Sequence, residues 1–125
     1  MKLEVHEVPY IVIKQYLEQQ AKDGLPEWEA VTLDLDTVKM LLHNGAYARD
    51  RSAWAVVLEG RVMGYAVVYN PQRTLDLLHL APEVRGKGLG KWFLQHLNIK
   101  EVVVDFRNKV ALALYKRLGY EIEYA

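Results

Sequence analysis

A glycine-rich turn between a strand-like segment and a helix-like segment is the feature that most constrains this chain. Residues 75–84 are mainly apolar, the turn reads Arg85-Gly86-Lys87-Gly88-Leu89-Gly90, and a helix-like run begins at Lys91. Alternate glycines let the backbone approach a ligand without Cβ obstruction, and the first turn of a helix has N–H groups without intrahelical partners. Such a turn at a strand-to-helix junction predicts a site for an anionic group such as phosphate.

The spacing of the glycines excludes two common phosphate loops. A Walker-type loop, G-x-x-x-x-G-K-[ST], would need glycine in place of Arg85 and serine or threonine in place of Trp92. The dinucleotide pattern G-x-G-x-x-G would need glycine in place of Lys91. Both patterns therefore fail at this turn.

A different pattern, Arg/Gln-x-x-Gly-x-Gly/Ala, is satisfied by Arg85, Gly88 and Gly90. Further along, residues 108–120 read NKVALALYKRLGY, in which an asparagine precedes a helix-like run that carries alanine and tyrosine and ends at Gly-Tyr. In this order the two segments resemble the two signatures of the GNAT superfamily, the amine N-acetyltransferases that use acetyl-coenzyme A. The resemblance covers residues 52–122 well and the first fifty residues in outline.

The periodicity of the chain agrees with the fold that the resemblance implies. We expect helices at 10–23, at 35–44 with its end at Gly45, from the glycine turn to Leu97, and at 108–118. Strands are expected at 2–8, 53–59, 62–69, 74–81, 101–106 and 120–124, the second and third joined as a hairpin. The order βααβββαβαβ predicts an α/β sandwich around a mixed sheet. The resemblance implies that this sheet is GNAT-like, mostly antiparallel and flanked by about four helices.

We expect a single acetyltransferase domain over residues 1–125, with acceptor-site helices at 9–48 and a coenzyme A-binding core at 52–125. The family usually ends in one further strand, which is missing from this sequence. The resulting open sheet edge implies a homodimer formed by strand pairing.

Composition narrows the environment and the partners. The 16 basic and 16 acidic residues cancel, which argues against nucleic acid or an anionic membrane as a partner. The absence of cysteine removes disulfides and thiolate metal sites, and we expect no metal. A charged N-terminus and the lack of a long apolar stretch predict a cytoplasmic protein.

The local charge is uneven. Residues 23–38 contain five acidic residues and no lysine or arginine, whereas basic residues surround the two signatures. In the family the acidic segment belongs to the acceptor site, so Glu27, Trp28 and Glu29 are expected to bind a cationic amine, with Tyr47 as a further lining residue. The same acids also fit helix caps and solvated faces.

The cofactor-binding prediction covers the turn and its surroundings. The backbone amides of Gly86–Gly90 are expected to hold the pyrophosphate of coenzyme A, and Arg85 and the lysines to attract it. The resemblance implies that Leu78 and Leu80 donate backbone groups to the pantetheine arm and the thioester, at a local break in the sheet. Asn108 fits both a helix N-cap and a partner of the pantetheine arm. The full set is Leu78, Leu80, Arg85, Gly86, Lys87, Gly88, Leu89, Gly90, Lys91 and Asn108.

Two residues are expected to act in catalysis. The resemblance implies that Tyr115 protonates the departing thiolate, although a core tyrosine is the other interpretation. Asp76, predicted to share a strand face with Leu78, is expected to accept the proton of the amine, although a solvated or capping aspartate fits as well. His79 alternates to the other face, where a packed core histidine is expected, and Glu27 and Glu29 remain further candidates for the base.

The predicted function is acetyl transfer from acetyl-coenzyme A to a primary amine by direct attack in a ternary complex, with no acyl-cysteine. The acceptor is either a small cationic amine or a protein lysine or N-terminus. A non-catalytic acyl-coenzyme A-binding sensor or interaction module is the alternative.

Overall fold

The computed structural model describes residues 2–23, 35–104 and 106–124, apart from the side chain of Val110. The strands and helices follow one another in the predicted order, with one short helix added before the second strand. The elements are β1 (Leu3–Glu7), α1 (Tyr10–Lys22), α2 (Leu35–His43), α3 (Gly45–Ala48), β2 (Arg51–Leu58), β3 (Arg61–Tyr69), β4 (Thr74–Leu80), α4 (Leu89–His96), β5 (Glu101–Val104), α5 (Lys109–Leu118) and β6 (Glu121–Tyr124).

The six strands form one sheet in which spatial order follows chain order, from β1 to β6. The pairs from β1 to β4 are antiparallel, while β5 and β6 continue the sheet in parallel. The β2–β3 hairpin turns at Glu59 and Gly60, whose φ angles of 50° and 80° are those of a two-residue turn that matches strand twist. The sheet confirms the predicted mixed, mostly antiparallel α/β fold.

Apolar side chains cover both faces of the sheet. On one face, residues of α1 and α2 such as Ile13 and Val38 pack against Tyr65 and Val67 of β3. On the other face, α4 and α5 contribute to a cluster that includes Phe93 and the alternate β3 residues. The alternation of β3 between the two clusters follows the period of two of an extended strand.

The helical region before β2 extends further than the sequence predicts. Gly45 does not end the helical region, because the Asn44 side chain accepts a hydrogen bond from the Ala46 amide at 3.1 Å and so caps a further one-turn helix. The described residues therefore contain five α-helices rather than about four. None of the helices in these ranges is long and apolar enough to cross a bilayer.

A β-bulge in β4 changes the face on which its side chains lie. Val67 pairs with Leu77 and Val68 pairs with Leu75, so Asp76 is the additional residue of the bulge. Leu75 and Leu78 consequently both pack on the α4–α5 side, although they are three residues apart. The prediction that Asp76 shares a face with Leu78 is wrong, since one extra residue reverses the alternation beyond it.

Strands β4 and β5 separate soon after they begin. Their pairing consists of Thr74 with Glu101 and Leu75 with Val102. From Asp76 onward β4 pairs only with β3 among the described strands. The sheet is thus open beside the second half of β4, where the family resemblance implies a break.

Within the described part of the chain, β6 is the last strand of the sheet, next to β5. Its residues Glu121 and Glu123 are exposed, and so is Tyr124. Acidic side chains along an edge oppose pairing with an identical edge. Homodimer formation through this edge stays a prediction.

Candidate functional site

A cleft of about 630 Å³ lies where the open half of β4, the glycine turn, α4 and α5 meet. Its volume is within the range of small-molecule and cofactor sites, which is roughly 300–1,000 Å³. Nine of the ten predicted cofactor-binding residues line it, and only Lys87 does not. The lining residues are Leu78, His79, Leu80, Val84, Arg85, Gly86, Gly88, Leu89, Gly90, Lys91, Asn108, Lys109, Ala111, Ala113, Leu114 and Arg117.

The glycine turn has the backbone that its sequence predicts. Gly86 and Gly88 have φ angles of 76° and 81°, in the left-handed region that favours glycine. Gly88 immediately precedes α4, so the backbone N–H groups that follow it belong to the first helical turn and have no intrahelical partner. A Cβ atom at Gly90 would lie 3.2 Å from Leu114 Cδ2 and 3.4 Å from Leu80 Cδ1. Glycine at position 90 therefore lets the start of α4 approach both β4 and α5.

The backbone of β4 presents polar groups to the cleft. The Ala81 amide donates to the Met63 carbonyl of β3 at 2.8 Å. Because backbone groups alternate between the two sides of a strand, those of His79 also face β3, and those of Leu78 and Leu80 face the open side. The Leu80 carbonyl on this side accepts from Arg85 Nε, so the Leu78 backbone groups and the Leu80 amide are those that fit the predicted backbone role.

The two basic side chains of the turn make contacts within the protein. Arg85 Nε donates to the Leu80 carbonyl at 2.9 Å, and Lys87 Nζ donates to the Glu83 carbonyl at 3.1 Å. The Arg85 contact connects the end of β4 to the beginning of the turn. In this arrangement the Arg85 side chain supports the turn, whose residues Gly86, Gly88 and Gly90 line the cleft.

Asn108 is a helix cap that also lines the cleft. Its Oδ1 atom accepts a hydrogen bond from the Ala111 amide at 3.1 Å, and the side chain is buried. This confirms the predicted N-cap of α5. The cap uses only the oxygen, so the amide NH₂ group is available as a donor toward a ligand.

Tyr115 lies on the face of α5 that packs against the sheet, one turn after the cleft residue Ala111. It is 2% exposed and is not among the residues that line the cleft. Burial raises the pKa of its hydroxyl far above the ordinary value, and nearby Tyr120 adds to the rise. The hydroxyl is therefore protonated throughout the physiological range, as a proton donor must be.

Asp76 forms an ion pair with Arg51, with 2.6 Å between Oδ2 and Nε. Arg51 itself lies between the rings of Tyr47 and Tyr69, with its Cζ atom 5.6 Å and 5.0 Å from the two centroids. The contact with Arg51 uses Oδ2, so Oδ1 is the oxygen that could accept a proton with this pair intact. The role of Asp76 as the base stays a prediction.

His79 is buried, as predicted for a core histidine, and it is 5% exposed. Its Nδ1 atom is 2.8 Å from the Tyr16 hydroxyl and its Nε2 atom is 3.0 Å from Arg85 Nη2. His79 thus connects helix α1 to the first residue of the glycine turn.

Three predicted site residues lie outside the described ranges, and several residues at or near the site were not predicted from the sequence. Glu27, Trp28 and Glu29 lie outside the described residues. Ala111 and Leu114 line the cleft at helical spacing from Asn108, so the period of α5 would have identified them. Arg51 and Tyr16 gave no sequence signal, because their partners are 25 and 63 residues away along the chain.

Comparison with known proteins agrees with this geometry. Residues 49–122 match the family model described as an acetyltransferase (GNAT) domain, which spans more than half of the chain. No curated protein matches the sequence.

Several solved structures share the fold at low sequence identity. PaiA N-acetyltransferase from Thermoplasma acidophilum, in complex with coenzyme A, is 16% identical over 98% of this chain and 92% of its own, with a TM-score of 0.62. Ribosomal-protein-alanine N-acetyltransferase from Brucella melitensis biovar Abortus 2308 is 12% identical, with coverages of 99% and 96% and a TM-score of 0.64.

A third structure, aminoglycoside N-acetyltransferase AAC(6')-Iy in complex with coenzyme A, is 15% identical, with coverages of 96% and 88% and a TM-score of 0.60. Together with the family match, the shared fold confirms the resemblance carried by the two sequence signatures. The chain belongs to the GNAT acetyltransferase family.

Proposed function

We propose that this protein binds acetyl-coenzyme A in the cleft and transfers the acetyl group to a primary amine. One observation carries the proposal: the glycine turn at the start of α4 and the diverged half of β4 line the same cleft. The turn offers backbone amides to a diphosphate, and the strand offers backbone groups to an amide-containing arm. Asn108 adds a side-chain donor between α5 and the cleft.

When bound, the cofactor supplies an acyl thioester, whose acyl group passes to a nucleophile with release of a thiol. The backbone N–H groups on the open side of β4 are suited to orient and polarise a carbonyl. Tyr115 is protonated at neutral pH, and because burial raises its pKa and makes it a weaker acid, it is suited to supply a proton only as negative charge develops on sulfur. No cysteine is present to carry the acyl group, which supports direct attack by the amine.

The acceptor must lose a proton, and the cost depends on its class. A lysine-like amine with a pKa of ~10.4 requires about 4.6 kcal/mol to become neutral at pH 7, whereas an α-amine near 8 requires only about 1 kcal/mol. Arg51 engages Oδ2 of Asp76, so a lysine-like amine would have to pass its proton to Oδ1 or to another acceptor. Two of the three structures named above suggest the classes to test, since one is named for a ribosomal-protein alanine and the other for aminoglycosides.

The direct test is release of coenzyme A thiol from acetyl-coenzyme A, followed with a thiol reagent across a panel of acceptors. The panel contains polyamines, aminoglycosides, and peptides that present either an α-amine or a lysine side chain. Faster release with one class than in the absence of acceptor identifies it. Binding of acetyl-coenzyme A without turnover on any amine would contradict the catalytic proposal.

Variants separate the proposed chemical roles. Tyr115→Phe is expected to lower kcat about 100-fold or more while leaving the affinity for coenzyme A nearly unchanged, because a general acid acts only in the chemical step. Tyr65→Phe is the matched control, since Tyr65 is also fully buried in the sheet. Asp76→Asn is expected to lower kcat only for lysine-like acceptors if Asp76 is the base.

A second candidate is a non-catalytic acyl-coenzyme A-binding module. The Arg51–Asp76 ion pair favours it, because the pair occupies the residue predicted to accept the amine proton. This candidate predicts thermal stabilisation by acetyl-coenzyme A, no turnover with any amine, and no effect of Tyr115→Phe on basal hydrolysis. Any acceptor-dependent release of thiol that Tyr115→Phe abolishes would exclude it.

A further inference from the structure

A buried chain of hydrogen bonds runs from helix α1 to the glycine turn. The Tyr16 hydroxyl contacts His79 Nδ1 at 2.8 Å, and His79 Nε2 contacts Arg85 Nη2 at 3.0 Å. Arg85 then donates through Nε to the Leu80 carbonyl at 2.9 Å. Tyr16 and His79 are each 5% exposed, so these contacts are largely protected from water.

The chemistry of the three side chains fixes the direction of the hydrogen bonds. A guanidinium group only donates, so His79 Nε2 must accept from Arg85. The imidazole is therefore neutral at Nε2, and its proton lies on Nδ1, from which it is donated to the Tyr16 oxygen. The Tyr16 oxygen thus accepts from Nδ1 and stabilises the tautomer that Arg85 requires.

The glycine turn needs such an anchor. Gly86 and Gly88 are the most flexible residue type, and both adopt left-handed backbone conformations between Arg85 and the first turn of α4. A turn that is ordered before the ligand arrives loses less conformational entropy on binding. Arg85 fixes the strand end of the turn through the Leu80 carbonyl, while Gly90 fixes the helix end by close packing.

We propose that Tyr16 and His79 are positioning residues that hold Arg85 and so preorganise the anion-binding turn from the opposite face of the sheet. The affinity of the cleft for coenzyme A then depends on how α1 packs against the sheet, because Tyr16 belongs to α1. This inference rests on the proposed function, because it concerns the same cleft. Neither Tyr16 nor His79 needs to touch the reacting atoms.

A matched control lies beside Tyr16. Tyr65 is fully buried, and its ring meets that of Tyr16 edge-on with centroids 5.9 Å apart. Among the buried side-chain atoms of the described residues, its hydroxyl is the one without a hydrogen-bond partner. Tyr65→Phe therefore removes a hydroxyl from the same core without cutting the chain of hydrogen bonds.

The test is the dissociation constant of coenzyme A, measured by calorimetry for the wild type, Tyr16→Phe and Tyr65→Phe, with thermal denaturation recorded for each. Tyr16→Phe is expected to weaken binding about five- to tenfold, which equals about 1 to 1.4 kcal/mol. Tyr65→Phe is expected to leave the dissociation constant within twofold of the wild type. A structural role alone would lower the melting temperature without changing the affinity of the folded protein.

Two variants at His79 test the same point independently of Tyr16. In His79→Gln the side-chain oxygen replaces Nε2 and can still accept from Arg85, whereas in His79→Asn the amide replaces Nδ1 and reaches only toward Tyr16. His79→Gln is expected to bind coenzyme A more tightly than His79→Asn. This pair decides the question if Tyr16→Phe does not fold.

The outcomes separate the two proposals. If the wild type does not bind coenzyme A, the proposed function is wrong, and this inference falls with it. If the wild type binds and Tyr16→Phe or the His79 pair shows equal affinities, the function stands and the positioning role is wrong. Equal weakening by Tyr65→Phe would also overturn it, because the effect would then belong to the core in general.

Discussion

Replacement of Gly88 by alanine tests the anion-binding turn against a nearly identical control elsewhere in the chain. Gly88 has a φ angle of 81°, and a Cβ atom built on it meets nothing within 4 Å. Gly60, in the β2–β3 hairpin turn, has a φ angle of 80° and equally empty surroundings. Both substitutions place alanine at a left-handed φ angle, but of the two glycines only Gly88 lines the cleft.

The expected loss of stability is the same at both positions. A left-handed conformation costs an alanine roughly 1–2 kcal/mol. The reduced freedom of the unfolded chain returns about 0.4–1 kcal/mol, so the net loss is about 1 kcal/mol. For a domain of this size that corresponds to a decrease of roughly 3–6 °C in melting temperature.

The expected loss of affinity differs between the two variants. If alanine shifts the backbone at position 88, the amides at the start of α4 no longer converge on one anion. Loss of one hydrogen bond to a charged group costs about 1.5–3 kcal/mol, which weakens coenzyme A binding roughly 10- to 150-fold. Gly60→Ala should leave the affinity unchanged.

Calorimetric titration with coenzyme A and thermal denaturation of the wild type, Gly88→Ala and Gly60→Ala measure both quantities. Equal dissociation constants for the three proteins would refute the assignment of the turn as the anion site. Equal weakening by both variants would show instead that affinity follows global stability.

Three further predictions concern stability and helix capping. Asn108→Ala should lower the free energy of unfolding by about 1 kcal/mol and also weaken coenzyme A binding. Asn44→Ala removes the comparable cap of α3 and should affect stability alone. Unchanged coenzyme A affinity in Asn108→Ala would show that this side chain is not part of the site. Gly64→Ala would place a Cβ atom 2.7 Å from the His79 carbonyl oxygen. We therefore expect the free energy of unfolding, measured with denaturant, to fall by about 1–3 kcal/mol. A loss no larger than that of Gly60→Ala would contradict the close packing of β3 on β4. Burial raises the pKa of Tyr65 and Tyr115, so the folded state keeps protons that the unfolded state releases near pH 10. The stability that these groups contribute should therefore be complete below that pH and fall above it. In melting temperatures measured across a pH series, Tyr65→Phe should reduce this alkaline loss, and an unchanged slope would contradict the burial of Tyr65.

The glycine turn and the Asn108 cap were predictable because their signals are local. A glycine is required where φ is positive, and a capping asparagine precedes its own helix by one residue. The order of strands and helices followed from hydrophobic periodicity in the same way. The glycine turn and the Asn108 cap are also parts of the two sequence signatures that identify the family.

The surroundings of Asp76 were not predictable, because they depend on strand register. The bulge reverses the alternation of β4 beyond Asp76, and no residue type in that segment announces it. The ion pair with Arg51 then follows from the pairing of β3 with β2 on one side and with β4 on the other. Likewise, the sequence indicated a core histidine at position 79 but could not indicate Tyr16, which belongs to a helix on one face of the sheet.

The most direct test of the central claim is the change in backbone amide resonances when coenzyme A is added to ¹⁵N-labelled protein. Glycine amides are resolved in such spectra, and hydrogen bonding to phosphate oxygens shifts amide protons downfield. We predict large downfield shifts at Gly86, Gly88 and Gly90, with Gly60 unmoved. Saturable binding that leaves the three turn glycines unshifted, or no binding at millimolar coenzyme A, would contradict the account.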